Sequence, residues 1–69
     1  MFKHLDLKHA IRTDGTEVLI IRNGSMSDVG KLCRYLNTDP FLSDGLHYAP
    51  YGVVKDGLAI GIYNKVAVL

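Results

Sequence analysis

Polar and apolar residues alternate from Leu5 to Ile11, with Leu5, Leu7, His9 and Ile11 on one side and His4, Asp6, Lys8, Ala10 and Arg12 on the other. A period of two predicts a half-buried strand. Thr13-Asp14-Gly15-Thr16 follows, and Asp-Gly between two such runs signals a hairpin because glycine accepts positive φ. With Asp14-Gly15 as the loop, Arg12 pairs with Glu17 and Ile11 with Val18, so charge meets opposite charge and apolar meets apolar. This register predicts Leu7 and Ile11 on the same sheet face as Val18 and Ile20. The next run, Glu17 to Arg22, is apolar on both faces at its middle, as in a central strand covered on both sides.

Asn23-Gly24 breaks the strand, and Ser25-Met26-Ser27-Asp28 reads as a capping box. Met26, Val29, Leu32, Cys33 and Leu36 recur at helical steps, which predicts an amphipathic helix to about Asn37. Gly30 inside it costs about 1 kcal/mol relative to Ala, and a close approach to the sheet would account for it. Asp39-Pro40 ends the helix, with Pro40 able to open a further turn through Phe41 and Leu42. Ser43 to Pro50 reads as a loop. Tyr51–Val54 and Leu58–Tyr63 flank Lys55-Asp56-Gly57 as a second hairpin. Asn64-Lys65 marks either a third turn, which returns Val66 to Leu69 as a last strand, or a bulge in one longer strand. The fold class is α+β: a small antiparallel sheet of 4–5 strands in two hairpins, with one helix on one face, forming a single domain over residues 1–69.

Composition narrows the function more than it names it. At 69 residues the chain is near the lower limit for folding alone, but 48% of it is hydrophobic, which argues against disorder. The net charge is +1 and the basic residues are scattered, so the electrostatic footprint of nucleic-acid binding is missing. No apolar run approaches the ~20 residues of a membrane span, and the amino end lacks the apolar core of a signal peptide. The lone cysteine, Cys33, excludes an intrachain disulfide. We therefore expect a cytoplasmic protein with neither nucleic-acid nor membrane partners.

Candidate chemistry is sparse. No Cys/His spacing suits zinc, and His4 with Asp6 on one strand face reads as an exposed polar surface rather than a metal site. Cys33 falls on the apolar stripe of the helix, the position of a small buried hydrophobe. No nucleophile elbow, Walker loop or dinucleotide fingerprint occurs. The constellation that stands out is His47, Tyr48 and Tyr51 beside Pro50. Loop tyrosines suit recognition, but a domain this small needs its large side chains for the core, and that second role is the expected one.

Taken together, Asp14-Gly15-Thr16-Glu17-Val18-Leu19-Ile20-Ile21-Arg22 followed by Ser27-Asp28-Val29 resembles the start of a GNAT-type N-acetyltransferase. Tyr51 to Gly61, with its Asp56-Gly57 turn and Ile60-Gly61 step, is similar to that family's next hairpin, so the resemblance covers about residues 14–63. It implies the front, substrate-side portion of an acetyl-CoA-dependent enzyme. Two features depart from the pattern: Asn23 replaces the usual Pro after Ile-Arg, and no glycine turn follows for the cofactor's pyrophosphate. The later acid tyrosine also has no counterpart.

From these features we expect no catalytic, cofactor or metal residues, and a chain that is not an enzyme on its own. The expected function is binding or assembly through protein contacts, as an accessory, inhibitor or structural subunit of phage or bacterial type. The alternative is an acetyltransferase front portion whose cofactor half lies on another chain. The expected contact residues are Tyr48, Tyr51, Val66, Val68 and Leu69. The apolar carboxyl-terminal strand would meet a protein partner or a second copy.

Overall fold

The computed structural model describes residues 2–65. Strands β1 (Leu7–Ile11) and β2 (Glu17–Ile21) precede helix α1 (Met26–Thr38), and β3 (Leu46–Val54) and β4 (Gly57–Asn64) follow it. The four strands form one antiparallel sheet in the order β1-β2-β4-β3. The α+β class, the two hairpins and the central position of β2 are as the sequence predicts. The stretch 66–69, where the last strand was expected, lies outside the described residues.

The first hairpin differs from expectation by one residue. Ile11 pairs with Glu17 and Ala10 with Val18. The Arg12 N–H donates to Thr16 O at 2.8 Å and the Gly15 N–H to Arg12 O at 2.9 Å, so the loop is Thr13-Asp14-Gly15. Gly15 sits at φ +90°, and the Asp14 carboxylate accepts the Thr16 N–H at 3.0 Å. A three-residue turn ending in a left-handed glycine is the alternative hairpin that Asp-Gly supports. A one-residue slip sends every side chain to the other face. Ile11 and Leu7 therefore lie on the opposite face from Val18 and Ile20, and both are exposed.

Helix α1 begins as its sequence dictates. The Ser25 N–H donates to the Asp28 carboxylate at 2.8 Å and the Asp28 N–H to Ser25 Oγ at 3.4 Å, completing the capping box. Val29, Leu32, Cys33 and Leu36 are buried against Ile21, Ile60 and Tyr48 of the sheet. Ile21 and Ile60 have no exposed surface, and each stabilises the fold by about 1.5–3 kcal/mol through burial. Two details of the helix differ from expectation. Met26 is 64% exposed. Gly30 faces away from the sheet, and a Cβ there would touch nothing.

β3 starts at Leu46, within the stretch expected to be a loop. Its pairing shifts between Pro50 and Gly52, leaving Tyr51 as the extra residue of a bulge. That bulge breaks the alternation and hides the strand from a period-two reading. Pro50 is compatible because β3 is an edge strand.

The sheet face away from the helix is also closed over. Val18, Ile20 and Ala59 are almost fully buried there, with Ala10 and Val54 beside them. Long side chains supply the cover. Lys8 reaches from β1 to Asp56 in the β3–β4 turn at 3.9 Å, and the Arg12 guanidinium lies 5.7 Å from the centre of the Tyr51 ring. β1 and β3 are opposite edges, so these contacts span β2 and β4, and their aliphatic stems shield what lies beneath. Tyr63 folds onto Gly61 on the same face, in space that any Cβ would fill.

Candidate interaction surfaces

The tyrosines singled out in the sequence do not form one patch. Tyr48 points into the helix-side core, 8% exposed, and its hydroxyl donates to Leu42 O at 2.6 Å. It is a core residue, the role expected for the large side chains of so small a domain, and not the exposed partner contact also expected of it. The cause is parity: Tyr48 pairs with Ile62 on the helix face, where the core needs a large side chain. Tyr51 is the displaced residue of the bulge, 37% exposed beneath Arg12. The other three expected contacts, Val66, Val68 and Leu69, lie outside the described residues.

Cys33, Asp28 and Asp14 are committed to structure. Cys33 is buried, and desolvation pushes its thiol above the ordinary value, away from a thiolate. Asp28 is held below the usual carboxylate range by the Ser25 backbone and side-chain hydrogen bonds, and Asp14 likewise by Thr16. Both carboxylates organise turns. Among the described residues no group of His, Cys, Asp or Glu could hold a metal, and no helix is long and apolar enough to cross a membrane.

Among the described residues three further surfaces stand out, none of them evident from the sequence. A broad open groove runs along the outer side of α1, with Phe2 and Tyr35 as aromatic walls, Lys31 and Arg34 as cations and Gly30 on its floor. The amino-terminal segment shapes it: Asn23 accepts the Asp6 N–H and donates to His4 O, both at 2.7 Å, so residues 4–6 are strapped beside the helix. At the bulge, Met26, Pro50, Tyr51 and Gly52 line a small dent. Val53 lies two residues beyond, 81% exposed, and pairs with Leu58, which also lines the dent.

The third surface is the pair of sheet edges, which differ in kind. The outer edge of β3 is blunted: Asn37 bonds both main-chain groups of Tyr48, Pro50 lacks a donor, and the bulge follows. The outer edge of β1 carries no proline, glycine or bulge.

No protein family, curated protein or solved structure matches this chain.

Proposed function

We propose that this chain is a non-catalytic binding or assembly protein that acts through protein–protein contacts, in the cytoplasm. The carrying observation is the apolar ground around the β3 bulge, where Met26 is 64% and Val53 81% exposed beside Tyr51. Large apolar side chains left in water near a concave dent suit a partner's side chain better than they suit solvent. The commitment of Cys33, Asp14 and Asp28 to packing and turns supports a role without covalent chemistry. Cys33, single and buried, is compatible with a reducing compartment.

Substitution at the patch tests this. Immobilised wild-type chain and a Met26→Asp/Val53→Asp variant with unchanged circular dichroism would be exposed to soluble proteins of the expressing cell. A protein held by the wild type and bound at least ~10-fold more weakly by the variant, a loss of about 1.4 kcal/mol, is the expected result. Equal binding to both chains would remove the patch from consideration.

A further inference from the structure

We propose that two copies of this chain pair edge to edge through β1, antiparallel about a two-fold axis at His9, to make one continuous eight-stranded sheet. This deepens the contact-based function by naming one partner, and it rests on that function.

The first support is the direction of the main-chain groups. Arg12 N–H bonds Thr16 O and Arg22 N–H bonds Asp6 O, which fixes the two ends of the β1–β2 ladder. Alternation then turns the backbone groups of Lys8 and Ala10 toward β2 and those of Leu7, His9 and Ile11 outward. β1 is the terminal strand of the sheet, so these outward groups form an unpaired edge among the described residues. The opposite edge is closed to such pairing by the Asn37 clamp, Pro50 and the bulge at Tyr51.

The second support is self-complementarity. Leu7 and Ile11 are 40% and 66% exposed on one face, with His9 between them. Antiparallel pairing centred on His9 sets Leu7 against Ile11 of the second copy, Ile11 against its Leu7, and Lys8 against its Ala10. Apolar meets apolar at both ends, and the axis itself sets His9 against His9 of the second copy. Lys8, which would guard an edge against pairing, is turned to the other face and engaged with Asp56. His9 lies 3.2 Å from the Glu17 carboxylate of its own chain, which holds its ring beside the axis. The two-fold axis stands perpendicular to the sheet, which places both α1 helices on one face, flanking a trough floored by the four Leu7 and Ile11 side chains. The one-residue hairpin slip sets this arrangement, since it places Leu7 and Ile11 on the helix-side face with Leu19 and Ile21, and Lys8 on the other face with Ile20.

A five-residue edge buries less than the roughly 1,000 Å² of a stable interface, so the dimer should be concentration-dependent. Sedimentation of the full chain should show the mass rising toward twice the monomer value between ~10 μM and ~1 mM, a span of 2.7 kcal/mol in binding free energy. Ile11→Lys and, separately, Leu7→Glu should each hold the chain monomeric. The double variant should dimerise again, because the two new charges face each other across the axis. A merely structural role for either residue would not give that rescue. His9→Cys should yield a covalent dimer on mild oxidation, since residues in a hydrogen-bonded antiparallel pair have Cα atoms about 5.5 Å apart. Cys33 is buried and should not interfere. A chain that stays monomeric at ~1 mM and does not crosslink through His9→Cys overturns the self-pair. So does a dimer indifferent to Ile11→Lys, or a β1 edge that takes another protein's strand in place of its own copy. In each case the contact-based function still stands or falls on the Met26/Val53 experiment.

Discussion

The side-chain amide of Asn37 pairs with the main chain of Tyr48 at both ends: Nδ2 donates to Tyr48 O and the Tyr48 N–H donates to Oδ1, each at 2.8 Å. The last turns of α1 thereby stand in for the missing neighbour of β3. The clamp also fixes the strand's height against the helix, so that Tyr48 enters the core while its hydroxyl reaches Leu42. We predict that Asn37→Ala lowers stability by about 1–3 kcal/mol, the cost of leaving partly buried main-chain groups unpaired. Asn37→Asp should recover little, because a carboxylate accepts the N–H but repels the carbonyl. Chemical denaturation of the two variants measures both. A loss below ~0.5 kcal/mol for Asn37→Ala, the floor for a typical net hydrogen bond, would show that the clamp is incidental.

Two glycines should respond to alanine with opposite signs. Gly30 lies mid-helix with empty space beyond its Cα, so Gly30→Ala should stabilise the fold by about 0.5–1 kcal/mol. Gly57 sits at φ +151°, and a Cβ there would collide with the carbonyl oxygen of Ile21 on the neighbouring strand. Gly57→Ala should cost about 1–3 kcal/mol from backbone strain alone. Thermal melts of the two variants decide the pair of signs. If Gly30→Ala is neutral in stability but weakens a partner's hold, the bare floor of the α1 groove is a binding feature rather than a defect.

What the sequence made legible, and what it hid, divides on local physics. The capping box at Ser25 and Asp28 and the helical stripe are fixed by neighbours three or four residues apart, so they could be read directly. The hairpin register could not, because Asp-Gly serves both a two- and a three-residue turn, and the Asp14–Thr16 bond that selects the longer one emerges only with the fold. The bulge at Tyr51 hides β3 and leaves Tyr48 reading as part of a loop. The reach of Lys8 and Arg12 across two strands on the face away from the helix depends on long-range placement that no local pattern carries.

That cover predicts a specific exposure. Removing the Arg12 side chain should free the Tyr51 ring and expose more of the sheet face that carries Val18. We expect Arg12→Ala to cost about 0.5–1 kcal/mol, the range for an exposed cation–π contact, and to raise the binding of a hydrophobic dye. Arg12→Met, which keeps an apolar stem but no charge, should restore dye exclusion and little of the stability. Equal dye binding by wild type and Arg12→Ala would show that other groups close this face.

The depressed carboxyl of Asp28 makes a pH prediction with a definite sign. Its folded-state value lies below the unfolded one, mainly because the Ser25 N–H donates to the charged form. The resulting stability is fully present above the unfolded value of about 3.9 and is lost as pH falls through the lower folded value. Asp14, bonded to Thr16, acts in the same direction. The wild type should therefore weaken below about pH 4 more steeply than Asp28→Asn, which has no proton to take up. Parallel acid-denaturation curves for the two chains would remove Asp28 from the account.

Acetyl-CoA provides the sharpest separation from an acetyltransferase role. A pyrophosphate needs free amides at a glycine turn that feeds a helix. Among the described residues, Gly24-Ser25 before α1 has that order, but the Ser25 N–H is already taken by Asp28 at 2.8 Å and the site carries that residue's negative charge. Gly24 is further confined, since a Cβ there would strike the Ile21 side chain, so its lack of one serves packing rather than phosphate access. We predict no calorimetric signal for acetyl-CoA at concentrations up to ~1 mM, where binding of only about −4 kcal/mol would register. Asp28→Ala should remove the blocking carboxylate and, with it, the cap. If that variant gains acetyl-CoA binding while remaining folded, the helix start is a masked anion site. If the wild type itself binds in the micromolar range, the acetyltransferase resemblance carries function and the contact-based proposal gives way to it.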